Sequence, residues 1–293
     1  MITRRHLLKA GLATPFLFGG YALAEPQRLV VTSYQVSPRQ WPADLRLRIA
    51  VIADIHAINP WMTTAHIAEI VRATNMLQPD IVLLAGDYEA GMSRFKVGSW
   101  VSMFDCGKVL SQLQAPLGTY AVLGNHDIGN NDGNNVRQGF AANGIPVMEN
   151  VARRLVKDGR AFWLLGLGDQ FGDGGRWDPG RGHDDLPGTL KQIGDDAPAI
   201  LLAHEPDIFV DVPDRIALTI SGHTHGGQIL LPGYGPLVVP SRYGTRFRYG
   251  HIIENNRHLV VSGGLGTTGI PMRFGVPPEI VLITLGATPA ASA

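Results

Sequence analysis

Two rhythms of apolar and polar positions run along the 293-residue chain. Short unbroken apolar runs bounded by turn residues predict buried strands over 29–34, 45–52, 81–84, 119–123, 161–167, 199–202, 216–220, 259–262 and 279–285, with another around 154–156. Helical spacing appears instead over 64–77, where Ile67, Ile70, Val71, Thr74 and Leu77 recur, with Thr63 or Thr64 as cap and Pro79 as stop. The order strand, helix, strand across 45–84 predicts parallel pairing of its two strands. Further helices are expected at 108–114 and at 135–142, the second stopped by Gly144, and a loop rich in Gly, Asp and Arg over 172–188. In the less regular stretch 91–113, Met92, Phe95, Trp100, Val101, Met103 and Phe104 are expected in the core; the alternative is a lip that meets lipid. Neither an internal repeat nor a linker interrupts the pattern, so 25–293 is read as one domain.

Composition narrows this only slightly. Hydrophobic residues at 45% and charged residues at 17% fit a folded globular protein. The single Cys106 cannot form an internal disulfide and reads as a small buried apolar residue. Residues 1–24 hold Arg4, Arg5 and Lys9 and no acid, which leaves 22 bases against 25 acids in the remainder. That balance gives no electrostatic case for a nucleic-acid partner. The basic start, the apolar stretch from Ala10 and the closing Ala22-Leu23-Ala24 follow the plan of an export signal, with cleavage expected after Ala24. The paired arginines with Leu7, Leu8 and Lys9 resemble a twin-arginine signal. Gly11, Pro15, Gly19 and Gly20 break the apolar part, so it is a poor permanent span.

The loops just beyond five of the predicted strands are chemically uniform. Run 45–52 leads into Asp54-x-His56, 81–84 into Gly86-Asp87 and 119–123 into Gly124-Asn125-His126-Asp127; 199–202 leads into His204 and 216–220 into Gly222-His223-Thr224-His225. Sites in such sheets gather at the carboxyl ends of strands, so these five loops are expected to converge on one edge. Singly, each has an ordinary reading: Asp54 or Asp87 as a helix cap, Asn125 as a turn former, His204 as a satisfied core histidine, His223 and His225 as a surface turn. Together they place five of the ten histidines just beyond apolar runs, which points to metal. Oxygens and imidazoles without a thiolate argue against a cysteine-type structural zinc site and suit manganese first, then iron or catalytic zinc. Seven side chains are too many for one ion and right for two, if an aspartate bridges. Two ions about 3.5–4 Å apart clamp the attacking and leaving oxygens of a phosphoryl displacement.

These blocks, in this order, resemble the signature of the calcineurin-like metallophosphoesterases. The longer motif Gly222 to Gln228, the ending from Gly264-Leu265-Gly266 through Arg273 to Pro277-Pro278-Glu279, and the leader resemble the exported YkuE-type branch of that family. The resemblance implies an α/β (α+β) four-layer fold, two mixed sheets packed as a sandwich with helices outside. It also implies that one metal takes Asp54, His56 and His225 and the other Asn125, His204 and His223, with Asp87 bridging. His126 would face the substrate phosphate as catalytic acid, and Asp127 would orient it by accepting its other ring proton. One position departs from the family: Ala90 stands where an acid is common, with Glu89 a step early. Arg273 is read either as a phosphate contact or as a surface salt bridge.

The implied reaction is attack on phosphorus by a hydroxide between two divalent metals. No Ser-His-Asp or Cys-His arrangement competes with it. The expected enzyme is a phosphodiesterase, exported by the twin-arginine machinery to the periplasm or cell envelope. Its substrate would be a small-molecule or lipid-linked phosphoester, met with possible peripheral contact to the membrane. The alternatives are a phosphomonoesterase that scavenges phosphate and, in another class, a metal-bearing binding protein without turnover.

Overall fold

The computed structural model describes residues 19–91, 98–172 and 182–286. In chain order its strands are β1 (Val30–Val36), β2 (Leu47–Ile52), β3 (Ile58–Asn59), β4 (Ile81–Leu84), β5 (Ser99–Trp100), β6 (Thr119–Ala121), β7 (Val151–Lys157) and β8 (Arg160–Gly166). Then come β9 (Ala199–Leu202), β10 (Ile216–Ser221), β11 (Leu230–Leu231), β12 (Gly235–Pro236), β13 (Gly250–Glu254), β14 (Arg257–Val261) and β15 (Glu279–Leu285). The α-helices are α1 (Thr64–Met76), α2 (Met103–Leu110), α3 (Asn125–Ile128), α4 (Asn134–Ala141) and α5 (Leu186–Leu190).

Two mixed sheets carry the molecule, one in the order β1-β15-β2-β4-β6 and the other β13-β14-β10-β9-β8-β7. Successive strand residues point to opposite faces, and here both faces are apolar. In β2, β4, β8 and β9, Leu47, Ile49, Val51, Leu83, Phe162, Leu164, Ile200 and Leu202 meet between the sheets. Their neighbours Ala50, Ile52, Val82 and Leu84 turn outward to Ile67, Ile70 and Val71 of α1 and to Met103, Cys106 and Leu110 of α2. On the far side, Leu165, Leu201 and Val261 pack under Leu186, Phe209 and Phe247. Each such side chain contributes about 1.5–3 kcal/mol on burial, which is why continuous apolar runs marked these strands. As expected, β2 and β4 pair in parallel, and β6 continues the parallel set; β8, β9 and β10 do the same in the second sheet. Their carboxyl ends therefore share one edge of the sandwich.

Several local expectations change. Helix α1 is capped by Thr63, whose hydroxyl accepts from the His66 N–H at 3.2 Å. The helix expected at 108–114 starts earlier, at Met103, because the Ser102 hydroxyl caps it. Within that stretch Val101 and Met103 are buried while Trp100 and Phe104 are half exposed; Met92 and Phe95 lie outside the described residues. The expected loop 172–188 ends sooner, since Asp185 caps α5. Strand β13 was not legible, its burial being mixed as suits a sheet edge. Residues 19–24 are helical, and Ala22 is buried with its carbonyl accepting from the Arg273 N–H at 3.0 Å. A cut after Ala24 would therefore fall in a segment packed on the body. No described helix is long and apolar enough to cross a membrane.

Candidate metal centre

All five loops meet at the shared edge. The loops after β2 and β4 latch to each other, the Asp54 N–H donating to the Gly86 carbonyl at 3.0 Å and the His56 N–H to the Asp87 carbonyl at 3.0 Å. The loop after β10 latches to the one after β9, the Gly222 N–H donating to the His204 carbonyl at 3.0 Å. Asp54 then joins the two sheets, its carboxylate accepting from the His223 N–H at 2.9 Å. Five of the seven candidate ligands, Asp54, His56, Asp87, His223 and His225, adopt positive φ without being glycine. Such backbone costs of order 1–3 kcal/mol per residue and persists only where the surroundings enforce it, a pattern typical of functional sites. Glycine is required beside them: a Cβ on Gly124 would collide with the Asp87 carboxylate, and one on Gly222 would lie 2.7 Å from Asp54 Oδ2.

The side chains converge in two groups. Ligand atoms of Asp54, His56 and His225 lie within 4.8 Å of one another, as do those of Asp87, His204 and His223; Asp87 also groups with His56 and His126. Its Oδ2 lies 3.6 Å from His56 Nε2 and 3.2 Å from His204 Nε2, so one carboxylate reaches both groups. His56 Nδ1 meets the Glu89 carbonyl at 2.8 Å and His204 Nδ1 the Ala85 carbonyl at 2.6 Å. A ring nitrogen facing a carbonyl is the protonated one, which leaves Nε2 free to ligate. His56 Nε2 and His225 Nε2 face each other at 3.0 Å. His223 Nε2 and Asn125 Oδ1 are buried without a hydrogen-bond partner, which is costly unless a cation takes them. The donor set therefore fits divalent metal.

Electrostatics points the same way. Burial pushes the His56 imidazole down to about 4 and, with help from His204, that of His223 to about 3, so both are neutral and ready to ligate near pH 7. Burial and the like charge of Asp87 push Asp54 up to about 7, against the pull of His204. For Asp87, burial is outweighed by the imidazoles of His204, His126 and His56, which hold it well below the usual carboxylate range. Burial likewise opposes the His204 proton, but Asp87 and Glu205 hold its pKa well above the usual histidine value. Without metal, then, the pair favours a protonated His204 beside an ionised Asp87.

Two expected roles are corrected. Asp127 does not accept from the His126 ring. Its Oδ1 accepts from the Tyr88 and Glu89 N–H groups, each at 2.9 Å, and its Oδ2 from those of Asp87 at 2.9 Å and Gly124 at 3.0 Å. Four donors occupy the carboxylate, so it fixes the Asp87 loop instead. The His126 ring, half-buried, faces the Thr268 hydroxyl, with Nε2 to Oγ1 at 3.4 Å. Arg273 meets neither a phosphate site nor a surface acid: it is fully buried and donates to the carbonyls of Gly263, Gly266 and Val276, with Nη2 3.3 Å from His225 Nδ1. Ala90, at the position where the resemblance makes an acid more common, packs with Ile58 and Trp61. Thr268 and Gln228 were missed as functional residues. Gln228 clamps the 268–270 segment, its Nε2 donating to the Thr268 and Ile270 carbonyls and its Oε1 accepting from the Thr268 N–H at 2.9 Å. Only the place of Gln228 within the 222–228 motif hinted at this.

A cavity of about 460 Å³ opens over the cluster, with Asp87, Asn125, His126, His223 and His225 as its floor. Leu237, Val238, Pro240 and Ile270 form its wall. A two-sheet sandwich whose strand ends gather carboxylates and free imidazole nitrogens in an open cavity defines a metal-dependent hydrolase. The chain belongs to the calcineurin-like phosphoesterase family, whose profile matches residues 47–227. It is 31% identical over 276 residues to the uncharacterized metallophosphoesterase YkuE of Bacillus subtilis, covering 92% of this chain and 91% of the relative. It is 28% identical over 300 residues to the phosphodiesterase YaeI of Escherichia coli, covering 97% and 100%. A bovine transmembrane protein with metallophosphoesterase domain is 31% identical over 305 residues, covering 98% of this chain and 64% of that one. The protein is thus a metal-binding phosphoester hydrolase with the mixed α/β architecture of its family.

Proposed function

We propose that the protein is a phosphodiesterase of the cell envelope that works with two divalent metals, manganese first, iron or zinc next. Asp54, His56 and His225 would hold one ion and Asn125, His204 and His223 the other. The observation that carries this reading is the position of the Asp87 carboxylate, within reach of His56 on one side and His204 on the other. When bound, such ions supply Lewis-acid stabilisation of the phosphoryl oxygens and acidify the attacking water. The chain's own residues do the rest. His126, the half-buried imidazole of the cavity floor, donates to the leaving oxygen, and Thr268 holds its ring. Asp127 keeps the Asp87 loop in place through four backbone N–H groups, and Arg273 supports the loop behind His225.

The diester reading takes support from the similarity to YaeI, a relative named as a phosphodiesterase, and from the open cavity of about 460 Å³ over the cluster. Export rests on the leader, with Arg4 and Arg5 ahead of an apolar stretch, which would use the twin-arginine machinery. Residues 25–293 act as one domain in this reading. Its test is hydrolysis of bis(p-nitrophenyl) phosphate against p-nitrophenyl phosphate by the manganese-loaded protein, with His126→Ala as control. Faster, His126-dependent cleavage of the diester is expected. A preference for the monoester would make it a phosphomonoesterase, and metal binding without turnover of either a binding protein.

A further inference from the structure

The wall of the cavity continues outward into an exposed apolar face. Among the described residues fifteen large hydrophobic side chains are exposed, and six of them lie here: Leu231 and Tyr234 on a hairpin, Leu237, Val238 and Ile270 in the cavity wall, and Tyr21 against Phe274. Strands β11 and β12 form a hairpin there, with Tyr234 at its tip 79% exposed and Val238 just beyond it 70% exposed. Phe274 joins the parts. Its carbonyl accepts from the Leu230 N–H at 2.8 Å, its N–H donates to the Gln228 carbonyl at 2.9 Å, and its ring meets that of Tyr21 with centroids 5.3 Å apart. Exposed apolar side chains gathered in this way beside a cavity mark an interaction site.

We infer that this face docks on a lipid bilayer, with the metal cavity opening toward the lipid. Three observations choose a bilayer over another occupant. The hairpin closes its own backbone hydrogen bonds, the Tyr234 N–H donating to the Leu231 carbonyl at 3.0 Å and the Leu237 N–H to the Ile229 carbonyl at 3.1 Å, so its insertion strands few donors. It carries aliphatic side chains with a tyrosine at the tip, the mixture that suits a membrane interface. Residues 1–18 precede the Tyr21 segment in the chain, and their sequence is apolar towards its end, with Leu12, Phe16, Leu17 and Phe18. A leader lodged in a membrane presents this face to the lipid while it is attached; after a cut behind Ala24 the hairpin, Leu237, Val238 and Ile270 remain of it. That the site draws its phosphoester from membrane lipid rests on the phosphodiesterase reading; the docking does not.

The test uses the full chain and its Leu231→Ser/Tyr234→Ser variant, both positions lying outside the cavity lining. Co-sedimentation with vesicles of phosphatidylcholine containing a minority of phosphatidylglycerol should show partitioning about tenfold weaker for the variant. Hydrolysis of bis(p-nitrophenyl) phosphate should be unchanged. Equal partitioning of the two proteins would overturn the docking. In a second measurement Tyr234→Trp should gain quenching by brominated phosphatidylcholine over the parent protein, and no gain would also overturn it. Absence of diester hydrolysis by both proteins would strike the phosphodiesterase reading alone, because vesicle binding is read separately. With diester hydrolysis intact, equal rates for parent and variant on vesicle-borne phospholipid would overturn the lipid-substrate half.

Discussion

The floor and the rim of the cavity obey opposite principles. The floor is polar, buried and held from many directions: Asp54 and Asp87 are 0% and 1% exposed, and their loops are latched across both sheets. The rim is apolar and exposed, a two-stranded hairpin held chiefly by its own hydrogen bonds and by Phe274. Floor residues have no latitude, because a side chain shifted by an ångström loses a ligand position. Rim residues have much, because apolar contact is non-directional. Changes in the floor should therefore cost orders of magnitude, and changes in the hairpin of the rim should move affinity for a membrane surface and leave hydrolysis of a small soluble diester as it was.

The largest effect is expected at the shared carboxylate. Asp87→Ala should lower kcat by roughly 10³-fold or more and strip metal at the same time, read by turnover and elemental analysis of one preparation. His126→Ala separates chemistry from metal: turnover should fall by about 10²–10³-fold while metal content stays as in the parent. Loss of metal in that variant would refute its role.

Asp127→Asn probes the support beneath the floor. The amide leaves one oxygen to accept and turns an NH₂ against backbone N–H groups, so the protein should lose about 1–3 kcal/mol of stability, measured by thermal unfolding. Metal affinity should fall about 10–100-fold, with a small change in the pH profile of turnover. Had Asp127 oriented the His126 ring, the pH profile would move and the stability would not.

The mildest perturbation, which changes no residue, is the pH at which metal is taken up. Without metal the Asp54 carboxyl, at about 7, is protonated on the acid side of neutrality, and His204 holds its proton to higher pH still. Metal must displace both. Affinity should therefore fall as pH drops, by about tenfold per pH unit for each proton displaced, the slope steepening below about 7 where Asp54 joins. Calorimetry in two buffers of different ionisation enthalpy would read the protons released, more than one at pH 6; none released would contradict the assignment.

The same contrast explains what the sequence disclosed. Strands β4, β9 and β15 were legible to the residue because buried runs such as Ile81-Val82-Leu83-Leu84 have no other stable place, and ligand side chains follow β4 and β9 within three residues. The two corrected roles depend on partners without a sequence signal: Asp127 binds backbone N–H groups, which every residue offers, and Arg273 binds carbonyls of its own loop. Thr268 lies 142 residues from His126, so only the folded sandwich pairs them. The rim was illegible because nothing in the apolar pattern singles out Leu237, Val238 or Ile270, which only the fold leaves exposed beside the cavity.

The central claim is that loops from both sheets assemble a two-ion site around one shared carboxylate. The most direct measurement is the number of metal ions per chain after manganese loading and dialysis, for the parent protein and Asp87→Ala. Two ions in the parent and fewer than one in the variant is the predicted result. A single ion in the parent, or two retained after Asp87→Ala, would contradict it.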